Sequence, residues 1–159
     1  MREPVTAYVA LGANLADPLQ TVLRTLEALS RLPDCQLKAR SRLYRSAPHE
    51  AQGPEFVNAV AQLETCLTAP DLLDALQALE NLAGRERPYP NAPRTLDLDL
   101  LMYGQARMHS PRLTLPHPRW RERAFVLFPL ADLQPDWVSP EDLVRVAGQA
   151  IVVFPEPSA

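Results

Sequence analysis

Two carboxylates stand two residues apart in the stretch Pro93-Arg94-Thr95-Leu96-Asp97-Leu98-Asp99-Leu100-Leu101-Met102-Tyr103. Side chains alternate between faces along a β-strand, so Thr95, Asp97 and Asp99 share one side while Leu96, Leu98, Leu100 and Met102 take the other. A helix would set the two aspartates about 200° apart and scatter the leucines around its circumference. The period of two therefore predicts a strand with one acidic face and one core face. Cα atoms at i and i+2 of a strand lie about 6.5 Å apart, from which both carboxylates can converge on one Mg²⁺ or on two metals about 3.5–4 Å apart. An edge strand with a solvated acidic face is the plainer alternative for a bare Asp-x-Asp. Against it, Asp is a poor strand former, and the cost of two among leucines is explained by a metal and phosphate site, with Arg94 just upstream.

The rest of the chain bounds what such a site could serve. With 159 residues it is read as one domain, 1–159, long enough for a single core. A net charge of −3 argues against a general nucleic-acid binder, whose surface would be basic. Lys38 is the one lysine against fifteen arginines, a ratio that codon usage explains. Without a Gly-Lys-Ser/Thr, a Walker A loop is excluded. Cys35 and Cys66 are too few for a disulfide framework or zinc cluster and are read as buried thiols in a reducing cytosol. The opening Met-Arg-Glu-Pro lacks a signal-peptide core and no run reaches about 18 apolar residues, so the protein is expected to be soluble and cytoplasmic, with no membrane partner. Nothing in the sequence demands more than a monomer.

The elements that must position the aspartates follow from periodicity and punctuation. Residues 6–12 read as a buried strand leaving through Gly12-Ala13-Asn14, and Asp17, Pro18 and Gln20 open a helix whose Leu19, Val22, Leu23, Leu26 and Leu29 keep helical spacing up to Pro33. Residues 35–44 alternate as a strand with one wet face. Residues 45–55 have loop composition and make a binding-loop candidate. A strand over Phe56–Glu64 precedes a helix capped by Thr68, with Leu72, Leu73, Leu76 and Leu79 inward and Gly84 as its stop. Residues 85–93, with three prolines, must be irregular and are expected to act as a lid carrying Arg85 and Arg87 onto a nucleotide, with Tyr89 as cover. The acidic strand completes βαββαβ, the ferredoxin-like order of an α+β sandwich: an antiparallel sheet with two helices on one face and the other open to ligands. Beyond it, Gly104-Gln105 reads as a tight turn into a short hairpin partner, Leu113-Thr114-Leu115 as a short strand, 119–132 as a helical piece, and Ser139-Pro140-Glu141-Asp142 as the start of a last helix, with 155–159 fraying.

Several motifs in this order resemble one family: Val9-Ala10-Leu11-Gly12-Ala13-Asn14-Leu15, Tyr44-Arg45-Ser46, Phe56-Val57-Asn58-Ala59, Pro93-Arg94-Thr95-Leu96-Asp97-Leu98-Asp99, Leu113-Thr114-Leu115-Pro116-His117 and Arg123-Ala124-Phe125. The chain is similar over nearly its whole length to the 6-hydroxymethyl-7,8-dihydropterin pyrophosphokinases. The resemblance implies transfer of the diphosphate of ATP to the pterin hydroxymethyl oxygen with release of AMP, in folate synthesis. It also implies that Asp97 and Asp99 hold two Mg²⁺ ions, that Arg85 and Arg94 steady the triphosphate, and that Gln77, Glu80, Arg87, Arg112, Thr114, His117 and Arg123 serve ATP binding. Phe56 and Phe125 would sandwich the pterin, Asn58 would read its edge, and Ser46 and Ala47 would line its loop. Phosphoryl-type transfer is mostly positioning and charge stabilisation, which carboxylates with metal and forked guanidiniums can supply without a protein nucleophile.

Three features depart from the family pattern. Pro90-Asn91-Ala92-Pro93 lacks the usual lid tryptophan, Ala47 and His49 replace proline and leucine, and Phe56 replaces a frequent tyrosine. Taken singly, His117 would be a surface loop histidine, His49 and His109 stay so, Phe128 reads as core, and Arg119 and Arg121 as solvated surface. A metal-dependent nucleotidyltransferase or nuclease would show a third carboxylate and a basic track, and neither stands out. A non-catalytic RNA or ligand module leaves the Asp97/Asp99 pair unexplained.

Overall fold

The computed structural model describes residues 3–15, 17–48, 54–83 and 96–155. Alternating apolar residues build the strands β1 (Val5–Ala13), β2 (Cys35–Arg40), β3 (Tyr44–Ser46), β4 (Phe56–Thr65) and β5 (Asp97–Tyr103). Between them run α1 (Pro18–Ser30) and α2 (Ala69–Ala83). Asp17 caps α1 as its sequence position demands, its carboxylate accepting the Gln20 N–H at 3.2 Å, and the Thr68 hydroxyl accepts the Asp71 N–H at the start of α2. The sheet runs β5-β1-β4-β3-β8, the last being Ile151–Val153, with β2 also on β4, all antiparallel, which is the ferredoxin-like βαββαβ arrangement of an α+β fold.

The 35–44 segment is two strands rather than one. The Ser41 hydroxyl accepts the Val60 N–H at 2.9 Å in the gap between β2 and β3, and β2 itself carries a register shift between Leu37 and Ala39. Because β3 reaches Ser46, Arg45 and Ser46 belong to the sheet and not to the loop. Of the thiols, only Cys35 is buried; Cys66 is partly exposed.

One sheet face packs on α1 and α2. Val22, Leu26, Leu29, Leu72 and Leu76 meet Ala7, Val9, Leu11, Ala59, Leu63, Leu98 and Leu100 there. The other face is not wholly open. Helix α3 (Ala124–Leu133), apolar but for Asp132, lays Val126, Leu127 and Leu130 against Tyr8, Ala10, Val60, Leu101 and Met102 as a second core. A register shift in β5 makes this possible: Leu100 pairs with Val9 and Met102 with Tyr8, so Leu101 is the extra residue. Met102 thereby crosses to the aspartate face, ending the strict alternation expected over 96–102. Past Asp99 that face turns apolar and accepts α3; before it no described helix covers the face.

The C-terminal third also departs from expectation. Gly104, at φ 54°, makes the turn as read, but the hairpin it leads to is a separate pair, β6 (Met108–His109) with β7 (Thr114–Leu115), not a partner of β5. The helical piece from 119 is a 3-10 turn, Trp120–Glu122, followed by α3. After α4 (Pro140–Arg145) the chain adds β8 (Ile151–Val153) beside β3, a strand too short and too exposed to announce itself. Asp142 fastens this region. Its side chain, 4% exposed, accepts the Ser139 N–H in a capping box and bonds Arg121 at 2.8 Å and Arg145 at 2.9 Å. Arg121, expected as plain solvated surface, also lies 4.3 Å over the Trp120 ring.

The Ser139 backbone hydrogen bond above all, with the two arginines and despite burial, holds the Asp142 carboxyl below its usual range. A carboxyl depressed in the folded state contributes stability that is full above its unfolded pKa of about 3.9 and lost as pH falls through the folded value. Asp142→Asn is expected to cost about 2 kcal/mol near neutral pH and to flatten the acid limb of the stability curve below about pH 4. Urea titrations across pH check this; an unchanged acid limb would remove Asp142 from the account. Among the described residues no helix is long and apolar enough to cross a membrane.

Candidate active site

Strand register decides which predicted residues meet. Gly12 of β1 faces Asp97 on one side and Asn58 on the other, and Asn58 in turn faces Tyr44, so one rung carries Asp97, Gly12, Asn58 and Tyr44 on one face. Two residues along, Asp99, Ala10 and Val60 make the next rung of the same face. The sequence-read acidic face is therefore the face of Asn58 and Phe56. Neighbouring strands lie about 4.8 Å apart, which sets Asn58 about 10 Å from Asp97 across the glycine.

Asn58 is buried, and its Oδ1 accepts the Ser46 hydroxyl at 2.5 Å. That bond fixes the amide orientation and presents its NH₂. Gly12 is required by space: a Cβ there would lie 3.1 Å from Asn58 Nδ2 and 3.9 Å from Phe56 Cδ1. With Asn58 held by Ser46 and unable to recede, Gly12→Ala is expected to weaken a ligand read by this amide about tenfold, the price of one overpacked methyl. Calorimetry of pterin binding in the presence of a non-hydrolysable Mg·ATP analogue checks it, and wild-type affinity would mean that the amide is not the reader.

Arg123 ties the acidic strand to α3. Its Nη1 lies 3.7 Å from Asp99 Oδ2 and its guanidinium 5.5 Å over the half-buried Phe125 ring. So loose an ion pair contributes under about 1 kcal/mol and leaves the guanidinium free to serve an anion. His117 sits beside this pair. Burial is the main cause that holds its imidazole below the usual pKa, Asp99 opposing and Arg123 and Arg119 adding to the depression. Its Nδ1 accepts the Arg119 N–H at 3.2 Å, so the neutral ring carries its proton on Nε2. The His117 N–H bonds the Leu101 carbonyl, pinning the Pro116-His117-Pro118 loop to β5.

A cleft of about 240 Å³ runs along the outer edge of β5, between Leu73 of α2 and the 110–118 segment. Leu98 and Leu100 floor it, and Arg112, Thr114, His117 and Asp99 supply its polar groups. Three residues read as nucleotide contacts thus line one cleft. Gln77 and Glu80 make contacts within the protein beside this cleft. Gln77 accepts from Arg112 at 3.2 Å, and Glu80 accepts the Leu98 N–H at 2.8 Å, holding the edge strand between the two aspartates. Asp74, which the sequence reading passed over, also bonds Arg112. Its signal was present: 74, 77 and 80 repeat every three residues, a polar stripe on one side of α2.

Arg85, Arg87, Tyr89, Arg94, Thr95 and His49, and with them the expected lid over 85–93, lie outside the described residues. Among those described, no three His, Cys, Asp or Glu side chains gather to cage a metal. The Asp97/Asp99 face nevertheless fits Mg²⁺, which is commonly held by one or two carboxylates together with substrate phosphates and water.

Comparisons with known proteins place the chain in a family. The model of the 7,8-dihydro-6-hydroxymethylpterin-pyrophosphokinase (HPPK) family matches residues 8–135. A 2-amino-4-hydroxy-6-hydroxymethyldihydropteridine pyrophosphokinase of Pseudomonas aeruginosa is 52% identical over 135 residues, covering 84% of this chain and 83% of that protein. One of Haemophilus influenzae is 43% identical over 141 residues, 88% of each. Among solved structures, Plasmodium falciparum HPPK-DHPS with pteroate aligns at a TM-score of 0.66 and 12% identity over 83% of this chain, which spans only 39% of that longer one. That likeness shows the fold alone, whereas the family match over residues 8–135 includes the strands that carry Asp97, Gly12 and Asn58 and the start of α3. The chain belongs to the 7,8-dihydro-6-hydroxymethylpterin-pyrophosphokinase family.

Proposed function

We infer that the chain transfers the diphosphate of ATP to the hydroxymethyl oxygen of 6-hydroxymethyl-7,8-dihydropterin, releasing AMP, as a step of folate biosynthesis. The observation that carries the reading is the single rung on which the buried Asn58 amide and the Asp97 carboxylate flank Gly12. It offers a reader for a flat polar-edged heterocycle within one small-molecule length of an acidic pair. Phe56 and Phe125 stack on the pterin, with Ser46 and Ala47 beside its edge. The nucleotide lies in the β5 cleft against Arg112, Thr114 and His117, with Asp74 and Gln77 keeping Arg112 in place.

The reaction forms a bond from the hydroxymethyl oxygen to the β-phosphorus and breaks the bond from that phosphorus to the oxygen retained by AMP. Arg123, and by resemblance Arg85, Arg87 and Arg94, meet the charge on the phosphates. Asp97 and Asp99 would hold two Mg²⁺ ions, which when bound neutralise phosphate charge. The chain itself contributes alignment of two substrates on one rigid sheet, an effect that can supply about 7–11 kcal/mol of barrier lowering. Incubation with Mg·ATP and the pterin tests the reading: AMP that appears only when the pterin is present supports it. Release of inorganic diphosphate would indicate nucleotidyl transfer instead, and no turnover a binding module.

A further inference from the structure

We propose that Gln149 is the positioning residue for Arg123 and Phe125, and that the segment around it straps the two walls of the pterin site together. This deepens the function proposed above. Helix α3 begins with a conflict. A helix N-terminus presents backbone N–H groups without partners and a positive dipole end, and favours Ser, Thr, Asp or Asn at the cap. Here the cap position is Arg123, a side chain with no acceptor, and it makes no capping bond. Its guanidinium is turned instead to Asp99 and the Phe125 ring. The vacant capping role is filled from 25 residues away: Gln149 Oε1 accepts the Ala124 N–H at 2.8 Å. The same amide's Nε2 donates to the Glu122 carbonyl at 2.9 Å. One side chain thus grips the backbone on both sides of Arg123.

The next residue reaches the opposite wall. The Ala150 carbonyl accepts the Ala47 N–H at 3.1 Å, β8 pairs with β3 from Ile151 onward, and the Phe154 N–H bonds the Leu43 carbonyl. Residues 149–154 therefore join the Arg123–Phe125 turn to the Ser46–Ala47 edge, from which Asn58 takes its orientation. All of them lie beyond residue 135, where the family match ends.

The test uses Gln149→Ala and Gln149→Glu in the full chain. Exchange of the Ala124 amide, read with no ligand, is expected to rise about tenfold in Gln149→Ala, as loss of a cap worth about 1 kcal/mol or slightly more implies, and to stay near wild type in Gln149→Glu, which keeps an oxygen for that N–H. Unchanged exchange in Gln149→Ala overturns the capping role whether or not the wild-type protein binds the pterin. With a non-hydrolysable Mg·ATP analogue present, Gln149→Ala should bind the pterin about tenfold more weakly, while the analogue alone should weaken by less than about threefold, since Arg123 is only one of its contacts and Arg112, Thr114 and His117 are untouched. Gln149→Glu should recover part of the pterin affinity. Wild-type pterin affinity in Gln149→Ala overturns the positioning role. So does an equal loss for both ligands accompanied by a lowered Tm, the signature of mere destabilisation.

Discussion

Replacing Asp97 or Asp99 by alanine is expected to lower turnover by about a thousandfold or more, because the lost carboxylate would remove both a metal ligand and the alignment of the phosphates it brings. The fold should survive. Asp97 is exposed and Asp99 part-exposed, and the Asp99 contact with Arg123 is a loose 3.7 Å pair, so neither carboxylate holds the core. The two variants differ in one respect. Asp99→Ala also releases Arg123 and changes the surroundings of His117, so its loss should be less fully restored by excess Mg²⁺ than that of Asp97→Ala. Steady-state rates across a Mg²⁺ titration, with circular dichroism to establish the fold, check both points; near-normal rates in both variants would end the metal-site reading.

The second large effect concerns recognition. Phe56→Ala or Phe125→Ala is expected to cost about 1–3 kcal/mol of pterin affinity, by analogy with base–aromatic stacking, and to leave ATP affinity nearly unchanged. Both rings are half-buried rather than core, and Phe56 stands on the Asn58 face of β4, which suits a surface waiting for a flat partner. Calorimetry with each substrate separates the cases. An equal loss for ATP would return the two aromatics to a purely packing role.

How much of this was legible beforehand differs by residue. Asp97 and Asp99 announced themselves because a strand's period of two is a strong local signal. Met102 did not obey it, since the extra residue at Leu101 depends on what β1 and α3 require, not on β5 itself. The βαββαβ order followed from capping residues and punctuation, all local. The coverage of the second face by α3 was hidden because a helix apolar at nearly every position does not reveal which surface it will choose. Within the site, Asp74 could have been found from its spacing to Gln77 and Glu80. Gln149 could not: its partners are 25 and 27 residues away, and no local pattern links a glutamine after α4 to the start of α3.

A crystal structure of the chain with 6-hydroxymethyl-7,8-dihydropterin, Mg²⁺ and a non-hydrolysable ATP analogue tests the central claim most directly. The expected result has the pterin ring between Phe56 and Phe125 with its edge on the Asn58 amide, the nucleotide in the β5 cleft beside Arg112, Thr114 and His117, and metal between the phosphates and Asp97 and Asp99. A pterin seated elsewhere, or phosphates held away from the two aspartates, would contradict it.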